Sequence, residues 1–113
     1  MANTGWTANV PDSVMVCDLN GIILEMTDKA AEMYRKYGGM ELVGKNLFDC
    51  HPEPARGKLK RLLETGDRNI YTIEKNGIRK MIYQVPWYQD GRRSGMIELS
   101  FEFPADLPHF VRK

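Results

Sequence analysis

The residues best equipped for chemistry in this 113-residue chain lie in one short stretch, Cys50-His51-Pro52-Glu53-Pro54, with Asp49 just before it. An imidazole can hold a metal, pass a proton or change charge near neutral pH. A thiol beside it is the raw material of a nucleophilic pair. Adjacent residues seldom bring both side chains into hydrogen-bond geometry, and no third orienting group is evident. The stretch therefore reads first as a hydrogen-bonded loop, and second as the centre of a small α+β enzyme using Cys50 and His51. Gly-x-Ser-x-Gly, Walker and His-Glu-x-x-His signatures are absent. A second set, Tyr34, Phe48, Tyr83, Trp87 and Phe101 with Met33 and Met81, has the apolar bodies and polar tips that line ligand cavities, and equally the bulk that fills a core. Cys17 reads as a small buried hydrophobe.

The elements that must carry these side chains are marked by turn and cap residues. Ser13 to Cys17 is apolar and β-branched, Asp18-Leu19-Asn20-Gly21 supplies turn chemistry, and Ile22 to Met26 resumes the strand pattern. Thr27 or Asp28 can cap a helix whose apolar positions are Ala30, Ala31, Met33, Tyr34 and Tyr37, ended by Gly38-Gly39. Short helical turns follow over 40–50, and a second helix starts near Pro54 with Ala55, Leu59, Leu62 and Leu63 as its apolar stripe. Three strands close the chain, joined at Asn76-Gly77 and at Asp90-Gly91, the latter within a loop reaching to Gly95. In the last two strands Met81, Tyr83, Val85, Trp87 and Ile97, Leu99, Phe101, Phe103 alternate with more polar positions, which predicts that these two sets form the dry, inward face. Grouped strands on either side of grouped helices predict an antiparallel α+β sheet with helices over one face.

Composition limits what such a domain does. The size is that of one domain, with 42% hydrophobic and 27% charged residues, ordinary for a globular protein. Lys and Arg exceed Asp and Glu by 16 − 15 = 1, so no global field attracts nucleic acid or an anionic membrane. The cluster Arg56, Lys58, Lys60, Arg61 reads as a solvated helix face, without a DNA-reading element beside it. Two cysteines make no disulfide framework and match no zinc spacing. With no secretory signal and no membrane-length apolar run, a cytoplasmic protein is expected. The expected division is a flank over 1–12, a domain over 13–103 and a tail over 104–113.

Several stretches together resemble the PAS family of sensory domains. Val16 to Leu24 is similar to the family's opening hairpin with its Asp-x-x-Gly turn, and Thr27-Asp28-Lys29-Ala30-Ala31-Glu32 to its Asn-x-Ala-Ala-Glu helix start. Gly44-Lys45-Asn46-Leu47-Phe48-Asp49 is similar to the segment leading into the longest helix, and the hairpins at Asn76-Gly77 and Asp90-Gly91 to the last three strands. The resemblance spans about residues 13–103. It implies a five-stranded antiparallel sheet of order 2-1-5-4-3 curved around a cavity closed by helices. It also implies a non-catalytic signal-transduction module of bacterial type, which binds a small ligand or a protein partner and relays through its termini or outer sheet face, output coming from another polypeptide or domain.

On that basis Tyr34, Phe48, His51, Tyr83, Trp87 and Phe101 are the expected ligand contacts, with no catalytic or metal residues. Haem-binding members carry their iron-ligating His within the following helix, where this chain has Gly57-Lys58-Leu59-Lys60-Arg61. Flavin photosensors place a reactive Cys directly after the Gly-Arg-Asn segment, where this chain has Leu47. A haem or flavin sensor is thus a less favoured alternative. Ile78, Ile82 and Met96, assigned to the outer face, are apolar where water is expected. With Trp6 they are the expected interface of a homodimer or of a signalling partner, and a pure dimerisation domain with a filled core is the remaining alternative.

Overall fold

A computed structural model describes residues 9–113; Trp6, expected at an interface, lies outside the described residues. The strands are β1 (Ser13–Asp18), β2 (Ile23–Met26), β3 (Asn69–Lys75), β4 (Ile78–Gln89) and β5 (Arg92–Phe103). They form one antiparallel sheet in the order β2-β1-β5-β4-β3. Between β2 and β3 come α1 (Asp28–Met33), three 3-10 turns (Arg35–Tyr37, Gly39–Leu42 and Leu47–Cys50) and α2 (Ala55–Thr65). This is the α+β class that the element pattern predicts and the strand order that the PAS resemblance implies.

Local chemistry accounts for each junction. Asp18 Oδ1 accepts from the backbone N–H groups of Asn20 and Ile22, both at 2.9 Å, folding the first hairpin as an Asx turn. Thr27 is the N-cap of α1, and its hydroxyl has three partners. It accepts from Ala30 N at 3.2 Å and Val14 N at 3.0 Å, and donates to Asp12 O at 2.8 Å. One side chain thus ties the start of the sheet to the start of the helical layer. Asn76-Gly77 and Asp90-Gly91 both have positive φ at each residue (55° and 79°, 53° and 77°), the geometry of two-residue hairpins that match strand twist. The second turn is tighter than the sequence suggested. β5 already begins at Arg92, and Gly95 lies inside the strand because a Cβ there would run into the Cys17 carbonyl of β1.

Two helical pieces differ in length from their sequence patterns. α1 stops at Met33 and tightens into the 3-10 turn at Arg35–Tyr37. Of its apolar positions only Ala30 is fully buried, while Met33 and Tyr37 are exposed, so packing does not extend the helix. α2 is anchored at both ends. Glu53 Oε1 accepts from Gly57 N at 2.8 Å, satisfying a free donor of the first turn. At the other end Gly66 takes a left-handed φ of 75°. Arg93 of β5 donates to the carbonyls of Leu63 and Glu64 there.

The sheet faces are assigned by register, and here the structure reverses the expectation. Cys17 stands opposite Met96, Ser13 opposite Ser100, and Glu98 opposite Gln84. Met96 is 5% exposed and belongs to the core cluster with Met15, Cys17, Ile23, Leu42, Leu47, Cys50, Leu59, Leu62 and Leu63. Ile82 is buried on the same side. Met96 and Ile82 are therefore inner-face residues under the helical layer, not outer interface residues. Ile78 shares their parity but lies beyond the helices and is 48% exposed. Tyr83, Trp87 and Phe101, expected to face the cavity, have the opposite parity, with Met81, Val85, Ile97 and Leu99. The inversion has a physical cause. The inner face carries Gln84 and Glu98, which read as wet in the sequence, but their polar atoms are bonded to one another and to the helical layer.

Candidate functional site

A row of polar side chains crosses the inner face along the register of three neighbouring strands. Asn69 of β3 stands opposite Gln84 of β4, and Gln84 opposite Glu98 of β5. Asn69 Nδ2 donates to Gln84 Oε1 at 2.6 Å, and Gln84 Nε2 donates to Glu98 Oε2 at 2.6 Å. The other carboxylate oxygen, Oε1, accepts from Tyr34 Oη at 3.0 Å. The row thereby leaves the sheet and enters the helical layer just after α1.

There it meets His51. Tyr34 Oη lies 3.3 Å from His51 Nε2, and the two rings are 5.5 Å apart at a tilt of 49°. Tyr34 has one hydroxyl proton, and Glu98 takes it, so the imidazole donates from Nε2–H. The second ring nitrogen, Nδ1, is 3.1 Å from Leu47 O and 3.2 Å from Cys50 Sγ, while Sγ is itself 3.1 Å from Leu47 O. The Cys50 thiol donates to Leu47 O, so the thiol, the imidazole edge and this one carbonyl form a compact cluster.

Cys50 and His51 thus do meet, against the expectation for adjacent residues, because the tight turn at Leu47–Cys50 folds both side chains back onto Leu47 O. The pair is nevertheless poorly set up as a nucleophile. Cys50 is 3% exposed, and burial, followed by the negative charge of Glu98, pushes its thiol up to about 11. Burial and then Glu98 likewise raise Tyr34 and Tyr71 above the ordinary phenol range. A neutral thiol is a weak nucleophile.

Tyr34, His51, Glu98 and Gln84 floor a pocket of about 210 Å³, walled by Ala55, Lys58 and Leu59 of α2 and by Tyr71 and Ile82. Lys58 Nζ lies over the Tyr71 ring, 5.4 Å from its centre. Of the six expected ligand contacts, Tyr34 and His51 line this pocket. Phe48 packs against the core cluster and over Gly21. Tyr83 and Phe101 face the other way. Trp87 reaches past Gly95, its indole N–H donating to Cys17 O at 2.9 Å. The sequence reading missed Glu98, Gln84, Asn69 and Tyr71. Their shared signal is a polar or aromatic residue at matching positions of β3, β4 and β5, which becomes visible only when the hairpin turns set the register.

No family model and no curated protein matches the chain. Solved structures do. The PAS domain of Bordetella pertussis BvgS superposes with a TM-score of 0.66 at 13% identity, over 88% of this chain and 82% of that one. The Aer2 receptor of Vibrio cholerae, described as a dual PAS-heme oxygen sensor, gives 0.56 at 17% identity over 82% and 95%. The sensor region of a sensor histidine kinase gives 0.59 at 20% identity over 80% of this chain, which spans 39% of that region. The fold is that of a PAS domain.

Haem, the group named for the Aer2 receptor, does not suit this pocket. Both ring nitrogens of His51 are engaged, and among the residues lining the pocket there is no second histidine. The volume also falls below the roughly 300–1,000 Å³ of drug-sized ligand sites, and haem and flavin are larger than such ligands. Among the described residues no group of three or more His, Cys, Asp or Glu side chains is placed to hold a metal ion.

Proposed function

We propose that this chain is a non-catalytic sensory module. It takes a compact small molecule into the pocket between α2 and the inner sheet face and relays occupancy through the outer face or the termini to a separate output protein or domain. The observation that carries this reading is the continuity of the polar row: a molecule seated on Glu98 and Gln84 contacts β3, β4, β5, Tyr34 and His51 through one bonded set. The neutral, buried Cys50 thiol supports recognition over catalysis.

A second copy of the chain on the outer face completes the reading. Tyr83, Ile97 and Leu99 are partly exposed on that face around the buried Val85, and the helical layer packs on the opposite one. A cytoplasmic, bacterial setting accords with this proposal, and among the described residues no helix is long and apolar enough to cross a membrane. Native mass spectrometry of the purified chain tests both parts. A small-molecule adduct that disappears in Gln84→Leu, on a dimer, is the expected spectrum; a bare chain that gains no adduct from a metabolite extract would sink the sensor reading.

A further inference from the structure

The pocket's charge balance points to the class of molecule it takes. Glu98 is a half-buried carboxylate whose two oxygens each accept one hydrogen bond from a neutral donor, Tyr34 Oη and Gln84 Nε2. Among the described residues no cation lies within ion-pair distance of it, the single ion pair being Arg79 with Glu74 on the distant hairpin. A carboxylate offers about four acceptor positions, so these two bonds leave spare acceptor capacity on a residue that lines the cavity. Gln84 Oε1, already taken by Asn69, adds a further acceptor to the floor. Its negative charge is felt across the site, where it adds to burial in disfavouring ionisation of Tyr34, Cys50 and Tyr71; the cation in the lining, Lys58, stands on the opposite wall rather than on the carboxylate.

The wall opposite complements this floor. The Tyr71 ring already accepts an ammonium, that of Lys58, over its face. Lys58 is exposed on a flexible stem and free to swing out. Leu59 and Ile82 supply apolar surface between rim and floor.

Resting on the sensor reading above, we propose that the pocket selects small organic ammonium compounds, with the ammonium group on Glu98 and a compact apolar body against Tyr71, Leu59 and Ile82. Lys58 is the internal occupant that such a molecule displaces from the aromatic face. The volume of about 210 Å³ limits the body to one ring or a short chain.

Three probes of one shape and different charge decide this: benzylammonium, benzyl alcohol and benzoate, titrated into the full chain by calorimetry, with backbone NMR shifts locating the site. Benzylammonium should bind about tenfold more tightly than benzyl alcohol, the margin expected when a neutral hydrogen bond becomes charge-assisted. It should shift the signals of Tyr71, Gln84 and Glu98. In Glu98→Gln the two should bind equally, with the fold of the variant checked by its unperturbed signals in β1 and β2. Lys58→Gln keeps the floor intact and should tighten benzylammonium two- to threefold; weaker binding there would overturn the proposal. Equal binding of all three probes, or a preference for benzoate, overturns the ammonium class while leaving a ligand pocket in place. If none binds, the ammonium class fails, and the sensor reading fails with it unless the purified chain still carries a native adduct.

Discussion

Thr27 shows how much one hydroxyl can carry. Its three hydrogen bonds join Asp12, Val14 and Ala30, and it is 1% exposed, so removing it strands two buried N–H groups and a carbonyl. Thr27→Ala should cost about 2 kcal/mol, measured as a shift in the urea midpoint at unchanged slope. Thr27→Ser should recover most of that. The buried thiols set a limit at the alkaline end. Burial raises both Cys17 and Cys50 from an ordinary 9.0 to about 11, so the folded chain holds these protons more tightly than the unfolded one. Stability is then fully retained below pH 9 and falls as pH rises from 9 toward 11. A melting temperature followed across that window should decline, and less steeply in Cys17→Ala than in the parent; a flat profile contradicts the assignment. At this scale the sequence already marked His51, Cys50 and Tyr34. It did not mark Glu98, because a glutamate in a strand looks like surface until the residues that bond it are known.

At the scale of elements, the hairpins were the most legible part. Asn76-Gly77 and Asp90-Gly91 are pairs that tolerate positive φ, and the strands on each side follow directly. The choice of inner face was not legible. A run such as Tyr83, Val85, Ile97 and Leu99 looks drier than one containing Lys80, Gln84, Glu98 and Glu102, and period-two patterning alone cannot tell which face receives the helices. Side-chain bonding across strands decided it. The seating of α2 depends in the same way on a distant residue. Arg93 caps the last carbonyls of α2 from β5, and a Cβ at Gly66 would strike the Arg93 side chain. Arg93→Ala should lower stability by about 1–2 kcal/mol. Gly66→Ala should do at least as much, because it adds left-handed backbone strain to the loss of the clamp. Thermal denaturation of the two single variants and the double variant tests the link: the double should lose clearly less than the sum.

For the whole molecule, assembly turns on the outer face. If a second copy packs there, Leu99→Arg introduces an unpaired charge at the centre of the contact, and sedimentation should show a dimer becoming a monomer while the circular dichroism spectrum is kept. A parent chain that sediments as a monomer at every concentration removes the dimer reading.

The two rims of the sheet are also unlike each other. At β2 the backbone of Ile23 is already engaged by the segment between the second and third 3-10 turns, with Ile23 N bonded to Lys45 O at 2.9 Å and Gly44 N to Ile23 O at 2.7 Å, and the strand is only four residues long. At β3 seven residues run along an exposed rim. A sheet with two open rims can add neighbours without end and grow into a fibre. Among the described residues β3 is thus the longer and barer rim, and β2 the shorter one partly closed by the chain's own backbone. Edge-to-edge addition is therefore favoured at one rim over the other, which works against open-ended growth of the sheet.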